Sequence, residues 1–400
     1  MATANNTFFK IHSPVQSWRS EYTAAECDRN ACLMAANSDM NDPLALSREL
    51  FFKGIEQFES GRFADACITF QSALSLAPGR PSILANLGLS LCRLQRFDEA
   101  IAILKQAAAA QPGQPDILLN LGQSQTRVGD LRAALQTFEQ AIAIAPDFAP
   151  LWSERGSLMR ELGQLEEAAR CFEKALALGA DPELHRFYLA AVRQEATAEP
   201  PRRYVEALFD DYAADFEEHL VGNLKYRGYE FLLQPLLGSG QHYPAVIDLG
   251  CGTGLCGKLI APAAGNVHGV DLSSAMLARA RQSGHYQELV HADIGSFLQE
   301  TALRADLVLA SDVFGYIQDL LPVFQGVRRM LNPGGRFAFT VELAESGQDI
   351  ELRPSLRHAH SMTYVQRLSD QCNFSVRDLQ VATLREDQTD PVKALYVYLE

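Results

Sequence analysis

The chain has 400 residues, 47% of them hydrophobic, and a formal net charge of −14. That is enough apolar material for two or three packed domains, and the acidic balance argues against a general nucleic-acid binder, whose phosphate contacts need clustered Lys and Arg. No stretch approaches the ~18 consecutive apolar residues of a membrane helix, the opening MATANNTFFKIHSPVQSW lacks the pattern of a signal peptide, and eight cysteines without a CxxC pair read as free thiols of a cytoplasmic protein.

Residues 1–43 carry no period and are expected as a tail or one short added helix. A strict repeat then takes over. Gly54, Gly88, Gly122 and Gly156 recur every 34 residues, as do Ala66, Ala100, Ala134 and Ala168, and Ala73, Ala107, Ala141 and Ala175. Phe70, Leu104, Phe138 and Phe172 keep the same step, and Pro78, Pro112 and Pro146 mark the turns. A period this regular predicts a stack of similar units. In the second unit Ile83, Leu84, Leu87, Leu91 and Leu94 keep helical spacing, a break follows, and Ala100, Ile101, Leu104 and Ala107 resume it. Small residues let two helices approach, the large residue fills the gap, and proline ends the pair.

These positions resemble the tetratricopeptide repeat over about residues 47–182, with Trp152, Gly156, Ala168, Phe172 and Ala175 fitting in the fourth unit and Leu84, Leu87, Gly88 and Leu91 in the second. Lys53 replaces a usual leucine, which suits an end unit facing water. With 183–195 as a closing helix, the array is expected over 44–196. The resemblance implies a curved stack whose groove takes a protein or peptide. Asn86 and Asn120 are equivalent on the first helices, as are Arg93 and Arg127. Amides in successive units offer a donor and an acceptor to an extended main chain, so these four are the candidate partner-binding residues; the plainer alternative is solvated polar surface.

Glu199-Pro200-Pro201 breaks the helical pattern and opens the second domain, 197–400. Strands are expected at Ala245–Leu249, Val267–Asp271, Glu288–His291, Asp306–Ala310 and Arg336–Val341, alternating with helices at Cys256–Ala263, Ser274–Gln282, Ile294–Thr301 and Leu320–Leu331. Such alternation predicts a parallel sheet covered on both faces. Val376–Thr383 and Ala394–Leu399 are expected as an antiparallel end pair. The first strand runs into Asp248-Leu-Gly250-Cys-Gly252-Thr-Gly254, a turn that lets a ligand approach the backbone. Gly252-x-Gly254-x-x-Gly257 also fits a dinucleotide fingerprint, but the apolar run ends too early for it and Asp248 would repel a pyrophosphate. Acids end the second strand (Asp271) and follow the third (Asp293).

Together with AspLeuValLeuAlaSerAspVal and LeuAsnProGlyGlyArgPhe, these motifs closely resemble the class I S-adenosylmethionine-dependent methyltransferases over about 245–342. The resemblance implies a Rossmann-like domain with a seven-stranded, mostly parallel sheet, behind an α-helical repeat solenoid. It also implies S-adenosylmethionine as cofactor. Asp248, Gly250, Cys251, Gly252 and Gly254 would cradle its methionine end, and Asp271 would hold the ribose between Leu272 and Met276. Asp293 with Ile294 would read the adenine, and Ser311 and Asp312 would lie beside the methyl group. Cys251 is expected to pack, since nothing nearby favours a thiolate.

Residues 204–220 resemble the cap helices of bacterial methyltransferases that carry tetratricopeptide repeats. They read either as an amphipathic cover or as a lid in which Tyr212 and His219 close over the cofactor. Methyl transfer needs alignment and exclusion of water, and some acceptors also need a base. His360 is the preferred base, with Asp312 and Tyr316 as further candidates after the fourth strand; no metal is expected, because His358 and His360 lack a converging third ligand. The expectation is therefore a methyltransferase acting on a protein or peptide docked by the array. Its rivals are a small-molecule enzyme whose array serves assembly, and a scaffold whose cofactor domain is regulatory or inactive.

Overall fold

The computed structural model describes residues 42–195, 198–213, 216–217, 222, 224–387 and 390–400, so all but the end of the expected tail, and His219, lie outside them. The described residues divide into two units, one ending at Ala180 and the other starting at Asp181.

The first unit is a run of helix pairs: α1 (Pro43–Glu59) with α2 (Phe63–Leu76), α3 (Pro81–Arg93) with α4 (Phe97–Ala110), α5 (Pro115–Arg127) with α6 (Leu131–Ile144), and α7 (Ala149–Glu161) with α8 (Leu165–Ala177). Pro81 and Pro115 stand in the first turn, where a missing N–H costs nothing. The periodic glycines work as expected: a Cβ at Gly54 would stand 2.5 Å from the Phe70 ring, and one at Gly88 2.7 Å from Leu104. The periodic alanines are fully buried against the same contacts. Gly61, Gly129 and Gly163 take left-handed backbone at equivalent turns, and Gln95 takes it in the second unit with φ 59°. Lys53 is exposed, as expected of an end unit.

Helix α9 (Pro182–Arg193), expected to close the array, groups with the second unit. It packs on α10 (Arg202–Tyr212), where Phe187 and Tyr188 meet Tyr204 at centroid distances of 5.9 and 6.0 Å. After α11 (Gly228–Gly238) the sheet begins: β1 (Tyr243–Leu249), α12 (Leu255–Ile260), β2 (Ala264–Asp271), α13 (Ser274–Ser283), β3 (Glu288–His291), α14 (Ile294–Glu300), β4 (Ala305–Ala310), α15 (Leu321–Met330) and β5 (Leu331–Glu342). A small antiparallel pair, β6 (Ile350–Leu352) and β7 (His358–His360), precedes α16 (Met362–Gln371), β8 (Val376–Asp387) and β9 (Asp390–Leu399).

The seven strands run in the order β3-β2-β1-β4-β5-β9-β8, parallel through β5, with β9 antiparallel to both neighbours. This is the expected α/β sheet with its antiparallel end pair. Helix α12 stops at Ile260 and a 3-10 turn takes over at Ala261–Ala263, because Pro262 can donate no helical hydrogen bond. Alternate residues of each strand feed the two faces. Ile247, Leu249, Val308, Phe337 and Phe339 pack under α15 and α16, while Val246, Leu307, Leu309 and Tyr396 pack with Leu232 and Leu236 of α11. No helix among the described residues is long and apolar enough to cross a membrane.

Candidate active site

The loops at the C-terminal ends of the parallel strands carry the candidate residues, where ligands of open α/β sheets bind. Buried strands deliver the acids: Asp248 closes the apolar run of β1 and Asp271 that of β2. Gly250 has φ 67° and Gly252 φ 53°, which a side chain rarely adopts. Gly250 must also be bare, because a Cβ would stand 2.8 Å from that of Val313. At Gly252, a Cβ would meet the Phe216 ring at 3.9 Å among the described residues.

Asp271 braces the turn. Gly252 N–H donates to its Oδ2 and Ser273 N–H to its Oδ1, each at 2.8 Å. Burial raises the Asp271 carboxyl above the usual carboxylate range against these backbone donors. Asp248 is fully buried, and the Tyr286 hydroxyl donates to its Oδ2 at 2.7 Å. Its carboxyl is pushed up to about 7, by burial first and, more weakly, by the Asp271 charge. Gly257 is where the Tyr286 ring lies, and its N–H donates to the Tyr286 oxygen at 3.2 Å. Tyr286 was not a candidate from sequence; the glycine that admits it was visible only as a fingerprint position.

Asp293 caps α14, accepting from Ser296 N–H at 3.0 Å through Oδ1. Ile294 and Met276 are buried and Leu272 is half-buried nearby in sequence. Cys251 packs as expected: its sulfur would stand 2.8 Å from a Cβ at Gly269, and burial raises its thiol well above the ordinary value.

The loop after β4 is held differently. Tyr226 hydroxyl and Ser311 Oγ are hydrogen-bonded at 2.6 Å. Asp312 has φ 57° and sits in a buried ion cluster. Arg357 Nη2 and Arg385 Nη1 both reach its carboxylate, the latter at 3.2 Å. Glu342, at the end of β5, accepts from Arg357 Nε at 2.5 Å, Arg385 Nη2 at 2.6 Å and Arg353 Nη1 at 3.2 Å. These guanidiniums hold the Glu342 carboxyl well below the usual range despite its burial. Arg357 also lies 4.6 Å over the Tyr316 ring, which Gly315 permits, since a Cβ there would stand 2.7 Å from Nη2.

Arg357 thus joins Asp312 and Tyr316, and both Asp312 oxygens accept from guanidinium groups. His360 is fully buried on β7, 5.6 Å from the Tyr364 ring, with Nε2 2.9 Å from the Gln318 carbonyl. Burial lowers its pKa to about 4. It is a neutral core imidazole that supports the loop after β4, and its geometry gives no access to an acceptor. His358 is alike, with Nε2 3.1 Å from the Ala198 carbonyl.

In the first unit, Asn86 and Asn120 are buried rather than displayed. Their side-chain amides donate within their own helices, to Ser82 O at 2.8 Å and Asp116 O at 2.7 Å. Arg93 and Arg127 lie over Phe63 and Phe97, at 5.9 and 4.9 Å. The same 34-residue step reaches Glu154, which the sequence reading passed over. Glu154 is buried, accepts from Gln123 Nε2 at 3.0 Å, and is raised by burial to about 8.

Residues 247–337 match a family model described as a methyltransferase domain, and residues 79–147 and 125–191 match models of the tetratricopeptide repeat. The second match runs through most of α9. Among curated relatives, a malonyl-(acyl-carrier protein) O-methyltransferase of Enterobacter lignolyticus (strain SCF1) is 32% identical over 162 residues, 40% of this chain and 60% of that protein. A trans-aconitate 2-methyltransferase of Rhizobium etli is 37% identical over 100 residues, 24% of this chain and 38% of that protein. The chain spans less than two thirds of the length of these relatives. Among solved structures, the 1,6-didemethyltoxoflavin-N1-methyltransferase of Burkholderia thailandensis, with bound S-adenosylhomocysteine, aligns at 17% identity and a TM-score of 0.41, over 51% of this chain and 92% of that one.

Proposed function

We propose, from the premise that this chain carries a methyltransferase domain behind tetratricopeptide repeats, that it transfers a methyl group from S-adenosylmethionine to an acceptor presented by a protein or peptide. The carrying observation is the Gly250–Gly254 turn, braced by Asp271 and backed by the buried Asp248–Tyr286 pair. The donor set fits that cofactor: carboxylates accept from ribose hydroxyls, an adenine amino group and an ammonium, and the left-handed glycines of the turn let a ligand approach the backbone. When bound, S-adenosylmethionine supplies an electrophilic methyl group on a sulfonium.

The chain's residues do the rest. Asp271 would take the ribose diol, Asp293 the adenine amino group, and Asp248 with the glycine turn the methionine end. Ser311, Tyr226 and Tyr316 would wall the acceptor side, where alignment and exclusion of water set the rate. The repeats supply a partner surface, and the acceptor itself stays the open half of the proposal. One relative is named a malonyl-(acyl-carrier protein) O-methyltransferase, which favours an oxygen acceptor displayed on a protein. The buried free thiols suit the cytoplasmic location proposed for it.

Calorimetric titration with S-adenosylmethionine and S-adenosylhomocysteine tests the cofactor: no heat with either removes the reading. A radiolabelled methyl donor with cell extract tests the acceptor. Label in protein bands supports the docked substrate, and label confined to small solutes replaces it with the small-molecule reading.

A further inference from the structure

Helix α10 touches the candidate site at the ends of β2, β3 and β4. Asp210 Oδ1 accepts from the Ser273 hydroxyl at 2.6 Å and from Ala275 N–H at 3.1 Å, at the start of α13 after β2. Glu206 lies 3.8 Å from His291 Nε2, at the end of β3. Phe209 meets Tyr316 edge to face at 5.2 Å, after β4. Just beyond the helix, Phe216 packs with Tyr212 at 5.2 Å and is the group facing Gly252, after β1. The other end of α10 is held by the Tyr204 contacts to α9 and by Arg203 paired with Asp181 and Glu183. One helix therefore bears on three of the site's loops, with Phe216 beyond it facing the fourth, and is tethered outside them.

Ser273 makes the arrangement directional. Its N–H donates to Asp271 and its hydroxyl donates to Asp210, so one residue is held between the ribose-side carboxylate and the helix above it. Its hydroxyl also caps α13, accepting from Met276 N–H at 3.1 Å. Fixing Ser273 from above fixes the donor that orients Asp271 from below. The Asp210 contact is a pair of hydrogen bonds to one oxygen on a half-buried carboxylate, which can open without exposing a core.

We infer that Asp210 is a positioning residue for Asp271, and that through it α10 acts as a strap whose release admits and frees the cofactor. This rests on the methyl-transfer reading. The test uses the full chain and S-adenosylhomocysteine as probe, in Asp210→Ala, Asp210→Asn and the unaltered protein. Two readouts are taken: the probe's release rate by rapid mixing, and hydrogen exchange of the 273–276 amides in the ligand-free protein. Asp210→Ala should speed release about tenfold to a hundredfold, the range for losing hydrogen bonds to a charged group, and should speed exchange at Ala275. Asp210→Asn keeps an accepting oxygen and should recover most of both. Unchanged release in Asp210→Ala, with faster exchange, would make α10 a structural cover and overturn the inference alone. Failure of the unaltered chain to bind the probe would overturn the methyl-transfer reading, and the strap with it.

Discussion

Asp248→Asn should stabilise the ligand-free protein while weakening its cofactor site, two effects of opposite sign from one substitution. Asp248 is buried, and its carboxyl is raised from an ordinary 3.8 to about 7, chiefly because burial penalises the charge. Between those values the folded chain keeps a proton that the unfolded chain releases, so stability falls as pH rises through the window. The gap corresponds to about 4 kcal/mol at 1.36 kcal/mol per tenfold. Asparagine has no charge to bury and keeps an oxygen for the Tyr286 hydroxyl, but it brings a buried amide N–H, and burying an unmatched donor costs about 1–2 kcal/mol. The net expectation is a gain of about 2–3 kcal/mol at pH 8 and a loss of about 1–2 kcal/mol at pH 4. Urea unfolding of both proteins at pH 4, 6 and 8 reads this directly. On the proposed role of Asp248 at the methionine end, titration with S-adenosylhomocysteine should show at least tenfold weaker binding. A variant less stable than its parent at pH 8, with no crossing between pH 4 and 8, would refute the account of Asp248 as a destabilising buried acid.

Glu154→Gln in the repeat unit follows the same sign: its carboxyl is raised from 4.5 to about 8, so stability falls with rising pH across that range. The variant should gain about 3 kcal/mol at pH 7 and nothing at pH 4, by urea unfolding. Gln95→Gly replaces the left-handed non-glycine residue at a turn where other units use glycine, and should raise stability by roughly 0.5–1 kcal/mol, read as a shift in melting temperature. Arg385→Met leaves Glu342 and Asp312 short of a buried partner; a loss of about 3–5 kcal/mol in urea unfolding is expected.

Features carried by short-range pattern were legible in the sequence. The Gly88–Leu104 contact follows from the period, because a missing side chain on one helix and a large one on the next must be complementary. Strands β1 to β4 lay within two or three residues of the expected apolar runs, since buried parallel strands are apolar throughout. Features that depend on distant polar partners were not legible. Arg357 and Arg385 lie 45 and 73 residues from Asp312, and in sequence a buried arginine looks like a surface one. Asp210 and Tyr286 were hidden for the same reason, each meeting its partner only through the fold. Asn86 and Asn120 differ from these. Their period was right, but an amide four residues after a carbonyl on the same helix can donate back to it, and both do.

The two sides of the site are held by different chemistry, and the difference matches what each must do. On the acceptor side, each guanidinium of Arg357 and Arg385 binds both Asp312 and Glu342, tying the loop after β4 to β5, to β8 and to the segment before β7. Removing one member strands buried charge, so this wall has few low-energy alternatives. It can therefore hold the left-handed Asp312 and the Tyr316 ring in one arrangement, and a fixed wall lowers the entropy lost in aligning an acceptor with a methyl group. On the cofactor side, Asp210 accepts two hydrogen bonds on one oxygen and Glu206 makes one contact, all partly exposed and from one helix, which can break one at a time. A site that exchanges its cofactor every turnover needs an opening edge, and a reaction governed by alignment needs one that does not open. Weakening the acceptor wall should therefore lower kcat with little change in cofactor affinity, whereas weakening the strap should change cofactor exchange first.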